Sequence, residues 1–129
     1  MFRKKKKILL IEDEPDMATV ISERLQRDDM EVMIAGEGKK GVEMAEKNRP
    51  DLIILDLILP LGDGLWVLQK LKEQAKTMDI PVIILTASGD DKYIKKVTDL
   101  GIEAFMRKPY RGDKLVGTIN NILEKGRKK

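Results

Sequence analysis

Glu12, Asp13, Asp56, Thr86 and Lys108 are the residues of this chain whose types and placement could do chemistry together. Each follows a short apolar run: residues 8–11 (ILLI) lead into Glu12 and Asp13, and residues 52–55 (LIIL) into Asp56. Residues 82–85 (VIIL) lead into Thr86, and residues 104–106 into Arg107, Lys108 and Pro109. Carboxylates, a hydroxyl and an ammonium brought to one place have the makings of a phosphoryl-transfer site, in which a carboxylate is a competent nucleophile and a fixed cation meets the charge of the phosphoryl oxygens. Carboxylates crowded in this way repel one another unless a cation sits between them, and an all-oxygen ligand set suits Mg²⁺.

Those runs have to be positioned by the elements they belong to. Short apolar runs bounded by turn signals read as strands buried on both faces of a parallel sheet, and ligands bind beyond the carboxyl ends of such strands. Helical patterns alternate with the strands, which predicts an α/β domain. Pro15 is suited to open the first helix, whose apolar stripe is Met17, Val20, Ile21 and Leu25. Residues 32–35 make a second strand closed by Gly36. Gly36, Gly38 and Gly41 lack the spacing of a phosphate-cradling loop, so they read as a turn opening a helix that runs to about Asn48. Pro50 and Asp51 end that helix, and residues 59–64 form a loop before a helix marked by Leu65, Leu68 and Leu71. Pro81 opens the fourth strand. Tyr93, Ile94, Val97 and Leu100 mark the fourth helix, stopped by Gly101; Leu115, Ile119, Ile122 and Leu123 mark the fifth, stopped by Gly126. Five strands and five helices account for the chain, with no second domain expected.

Composition narrows the function classes. A chain of 129 residues with 42% hydrophobic and 36% charged residues fits one globular domain. It has no cysteine, hence no disulfide framework or thiolate metal site, and a reducing cytoplasm is the expected location. It has no histidine, which excludes imidazole catalysis and zinc chemistry of the usual kind. No apolar stretch is long enough to span a bilayer, so no membrane insertion is expected. The net charge of +3 is carried by the ends: nine basic residues lie within positions 3–7 and 125–129, leaving 16 basic against 22 acidic residues in the body. Residues 1–7 and 126–129 are therefore read as basic tails flanking a domain at 8–125. Without interleaved aromatic residues, solvated ends are favoured over nucleic-acid contact.

In this order the motifs resemble one family. From about Lys7 to Lys125 the chain resembles the receiver domain of two-component response regulators, the CheY-like group. The likeness rests on Glu12-Asp13, residues 50–56 (PDLIILD), Pro60, Asp63-Gly64, residues 81–87 (PVIILTA) and Lys108-Pro109. It implies a doubly wound, flavodoxin-like five-stranded parallel sheet in the order 2-1-3-4-5. It also implies that Asp56 is the phosphoacceptor and that Mg²⁺ is held by Asp13, Asp56 and the main-chain carbonyl of Ile58, with Glu12 reaching it through water. Many relatives have Asp where this chain has Glu12. By the same likeness Thr86 and Lys108 meet the phosphoryl group, Ala87 admits the donor, Phe105 is the switch aromatic, and the Lys108–Pro109 bond is cis. Taken singly, Asp56 reads as well as a turn aspartate, Lys108 as a surface lysine, Thr86 as a helix cap and Phe105 as a core residue. Tyr110 has no role legible in the sequence.

The resemblance implies a phosphorylation-activated switch of a phosphorelay. It would take its phosphoryl group from the phosphohistidine of a sensor histidine kinase or histidine phosphotransfer protein, and change a surface made by the fourth helix, fifth strand and fifth helix. Such a protein labels and unlabels itself but is not a turnover enzyme. Its output partner is open, no direct nucleic-acid binding is expected, and it would be a monomer or a phosphorylation-dependent dimer. An aspartate-nucleophile phosphatase needs a second acid two residues after the nucleophile, where this chain has Ile58. A flavodoxin-like cofactor binder lacks its phosphate loop here, and a nucleic-acid adaptor working through the basic ends is the weaker remaining case. Water must approach an aspartyl phosphate past Ile58 and Ser88, neither of them an acid or amide, so a slowly hydrolysing phospho-form is expected.

Overall fold

The computed structural model describes residues 4–56, 64–87 and 91–127. Ile58 and Ser88, together with Pro60, Asp63 and the rest of the expected 59–64 loop before Gly64, lie outside the described residues. The elements alternate as the sequence predicts: β1 (Lys6–Ile11), α1 (Pro15–Arg27), β2 (Met30–Ala35), α2 (Gly38–Asn48), β3 (Leu52–Leu55), α3 (Gly64–Glu73), β4 (Val82–Thr86), α4 (Asp91–Leu100), β5 (Ala104–Arg107) and α5 (Gly112–Arg127).

The strands form one parallel sheet in the order β2-β1-β3-β4-β5. The apolar runs are continuous because both faces of the sheet are covered. Ile8, Leu10, Leu52, Ile54, Ile83 and Leu85 join Ala18, Ile21 and Leu25 of α1 and Leu115 and Ile119 of α5. The alternate residues Leu9, Ile11, Ile53, Leu55, Val82 and Ile84 join Val42 and Ala45 of α2, Val67, Leu68 and Leu71 of α3, and Val97 of α4. Each such aliphatic side chain contributes about 1.5–3 kcal/mol when fully buried, so the two clusters fix which face each strand residue takes. The chain moves outward from β1 to β2 and then returns past β1 to β3. This reversal opens a crevice between β1 and β3 at their carboxyl ends, where Glu12, Asp13 and Asp56 emerge.

Three boundaries differ from expectation, each for a physical reason. β1 begins at Lys6, two residues inside the expected tail, because Lys6 and Lys7 pair with Met30 and Glu31 and only their side chains need water. Those pairings also start β2 at Met30 rather than at Val32. α5 runs through Gly126 instead of stopping there. Glycine ends a helix when it takes a left-handed conformation, as Gly101 does at φ 99° after α4; among the described residues Gly101 is the glycine with positive φ. Gly41 also has a different role from the turn residue expected, since it lies inside α2. A Cβ there would sit 2.5 Å from Cδ1 and 2.8 Å from Cγ1 of Ile11, so its absence lets α2 close on β1.

Candidate functional site

Three strand ends and one loop bring the expected residues together. Glu12 continues β1, with its N–H donating to the carbonyl of Ala35 on β2 at 3.0 Å. Asp56 continues β3, with its N–H donating to the carbonyl of Ile11 at 3.1 Å. The sheet ladder thus runs one residue beyond the apolar runs and holds both acids by their backbones. Asp13 stands beside them, exposed. The three carboxylates each offer an oxygen within 4.8 Å of the others.

From the other side, Lys108 follows β5 and its N–H donates to the carbonyl of Thr86 at 3.0 Å, so β4 aims it at the crevice. Its ammonium donates to Oε1 of Glu12 at 3.0 Å and to Oδ2 of Asp56 at 3.1 Å. Side-chain exposures of 13% for Lys108, 3% for Glu12 and 10% for Asp56 make this a largely desolvated triad rather than a surface ion pair. Thr86 is fully buried at the end of β4, and Ala87 after it is exposed. The peptide bond between Lys108 and Pro109 is cis.

The protonation preferences follow from this packing. Burial raises the pKa of the Glu12 carboxyl above its ordinary value, opposed in part by the Lys108 ammonium and the Glu14 N–H. Burial alone would lower that of Lys108, but hydrogen bonds and charge from Glu12 and Asp56 outweigh it and raise it overall. The lysine is therefore held as a cation against two acids. Such a site can present a carboxylate nucleophile to an electrophilic phosphorus, with an ammonium and an acidic cation-binding corner beside it.

Phe105 is half-buried on β5 and packs against the core on the α2, α3 and α4 face, with the guanidinium of Arg107 5.6 Å from its ring centroid. Sequence reasoning left Tyr110 without a role. It is half-buried against the other core cluster, and burial raises the pKa of its phenol. It also lines a cavity of about 610 Å³ that reaches Lys108 and is bounded by Met17, Val20 and Arg24 of α1. The exposed Val20 at an apolar helical spacing was the available signal: it belongs to the cavity wall rather than to the core.

Known proteins resemble the chain in sequence and fold. The chain is 34% identical over 119 residues to the DNA-binding dual master transcriptional regulator RpaA of Synechocystis sp., a match covering 92% of this chain and 49% of that protein. The chain spans about half the length of this relative and of the alkaline phosphatase synthesis transcriptional regulatory protein PhoP of Bacillus subtilis, to which it is 35% identical over 121 residues. A CheY-like response regulator receiver domain protein of Methanospirillum hungatei superposes with a TM-score of 0.92, covering 97% of this chain and 98% of that one; at 22% identity the likeness concerns the fold. The receiver domain of the sensor histidine kinase PA1611 of Pseudomonas aeruginosa, solved with magnesium coordinated in its active-site cleft, superposes with a TM-score of 0.82 at 29% identity, over 95% and 97% of the two chains. The family model of the response regulator receiver domain matches residues 8–120, from the first buried strand residue to the middle of α5, and the chain belongs to that family.

Proposed function

We propose that this domain is a phosphorylation-activated signalling switch that accepts a phosphoryl group on Asp56. The observation that carries the reading is the triad of Asp56, Glu12 and Lys108 beside Asp13, at the reversal point of the sheet. Family membership and the kinase receiver domains among the similar structures support a phosphohistidine of a sensor histidine kinase or a histidine phosphotransfer protein as the donor. In the transfer, an Oδ of Asp56 attacks phosphorus while the phosphorus–nitrogen bond breaks and its electron pair leaves on the imidazole. Lys108 meets the charge on the phosphoryl oxygens, and the hydroxyl of Thr86 donates to the same group.

The donor set fits a hard divalent cation: three carboxylates within reach of one another, in a chain with neither histidine nor cysteine. Asp13 and Asp56 would hold Mg²⁺, with the main-chain carbonyl of Ile58 and the charge of Glu12 completing the site. When bound, the ion supplies positive charge against the donor's phosphate oxygens and relieves repulsion among the acids. Ile58 and Ser88 govern how fast water removes the group, and the product is a switch rather than a turnover enzyme. Its location is the cytoplasm, its extent residues 8–125, and its state a monomer or a phosphorylation-dependent dimer. Among the described residues no helix is long and apolar enough to cross a membrane.

The test is direct. With acetyl phosphate and Mg²⁺, intact mass should rise by one phosphoryl group, and neither EDTA-treated protein nor Asp56→Asn should show the gain. Undiminished labelling of the Asn variant at the same site would sink the assignment.

A further inference from the structure

Glu12 is one methylene longer than an aspartate, and both of its carboxylate oxygens are engaged within the protein. Oε1 accepts from the Lys108 ammonium at 3.0 Å, and Oε2 accepts from the N–H of Glu14 at 3.3 Å. Glu14 is the N-cap residue of α1 and its own side chain makes no capping bond, so Glu12 satisfies a main-chain donor left over at the helix start. The carboxylate is 97% buried, by contrast with the exposed Asp13. Its backbone is fixed to β2 through Ala35, and that of Lys108 to β4 through Thr86.

We propose that Glu12 is a positioning residue: it tethers Lys108 beside Asp56 and ties that lysine to the start of α1, and it does not itself ligate the metal. This rests on the reading of Asp56 as acceptor. A long, flexible lysine would otherwise sample many rotamers, and ordering it before the donor arrives removes that entropy from the reaction. Reach is the reason for glutamate. An aspartate carboxylate on the same backbone would fall short by about one carbon–carbon bond, about 1.5 Å, and could not meet both the ammonium and the Glu14 N–H.

Glu12→Asp separates reach from charge, and Glu12→Gln removes charge while keeping reach, so a folding failure of either one leaves the other. Three measurements suffice on the whole chain. The side-chain ¹⁵N signal of Lys108 in Mg²⁺-free protein should be protected from water exchange in the parent and lose that protection in both variants. Mg²⁺ affinity should not weaken in Glu12→Asp, which keeps the charge. The acetyl phosphate labelling rate should fall about three- to tenfold in Glu12→Asp, but change less than about twofold when the same substitution is made in a Lys108→Ala background, because the two residues then act as one unit. A Lys108 signal unmoved by either variant, a tenfold loss of Mg²⁺ affinity in Glu12→Asp, or an equal rate loss in both backgrounds would each overturn the tether. Should the parent show no labelling at all, the acceptor reading fails, whereas the Lys108 signal still reports on the tether.

Discussion

Lys108 carries a charge into a place where burial disfavours it, and two carboxylates hold it there. Removing that lysine leaves Glu12 buried beside Asp56 and Asp13 with no ammonium between them. Breaking a buried pair from one side costs more than the pair contributes, because the remaining charge is uncompensated. Lys108→Ala should therefore fold but lose about 2 kcal/mol at neutral pH, less than a fully interior pair because the crevice is open to water at Asp13. The sign of its pH dependence follows from Glu12. Its carboxyl already prefers the proton more in the folded state than in the unfolded chain, and losing Lys108 strengthens that preference. A group whose folded pKa is raised favours folding as pH falls through that value toward the unfolded one. Urea midpoints measured between neutral and mildly acidic pH should show the variant recovering part of its loss on acidification. The parent's Lys108, raised above the ordinary lysine value, contributes stability that is lost only as pH rises through that folded value. A deficit in Lys108→Ala that stays constant or grows with acid would contradict the buried-triad account.

At the scale of elements, the strands were the most legible part of the sequence, because burial on both faces erases the polar alternation that would blur them. The site residues were legible for the same reason: a polar residue ending an apolar run has to leave the sheet at its edge. Less legible were features set by contacts between elements distant in sequence. The start of β1 depends on pairing with Met30 and Glu31, the Oε2 bond of Glu12 on where α1 begins, and the cavity beside Tyr110 on how α1 lies against the start of α5. Gly41 is the clearest case, since its spacing reads as a turn whereas its function is contact with Ile11. Gly41→Ala gains helix propensity of about 1 kcal/mol. It also drives a methyl into Ile11, which is fully buried and cannot swing into solvent. Overpacking of this kind costs about 1–3 kcal/mol, so a net loss of about 1 kcal/mol is expected. Thermal unfolding of the Ala variant would read it, and a higher midpoint than the parent's would show that α2 can shift without cost.

For the molecule as a whole, the question is how a phosphoryl group on Asp56, as proposed, would alter a distant surface. Asp56 follows the central strand β3, whose neighbours on one side, β1 and β2, differ from those on the other. Toward β1 it meets Glu12, whose backbone is fixed to β2 and whose carboxylate accepts from the Glu14 N–H at the start of α1. Toward β4 and β5 the contact passes through two side chains proposed to meet the phosphoryl group, Thr86 and Lys108, whose residues are joined by a main-chain hydrogen bond. Phe105 sits on β5 opposite Ile84 and packs against the cluster that includes Val97 of α4. On the proposed reading, a charge drawing Thr86 and Lys108 inward would bias β4, β5 and the helices beside them, whereas no residue of β2 or α2 is proposed to meet the phosphoryl group. Beryllofluoride with Mg²⁺ should shift amide resonances at Thr86, Phe105, Lys108, α4 and the first turns of α5, and leave those of β2 and α2 nearly still. In Lys108→Ala the ion should still bind at Asp56, shifting Asp13 and Asp56, while the response at Phe105 and α4 falls away. Because binding and propagation are read on separate resonances, the variant tests the route alone: shifts that still reached Phe105 and α4 without the lysine would mean that the surface responds through another path.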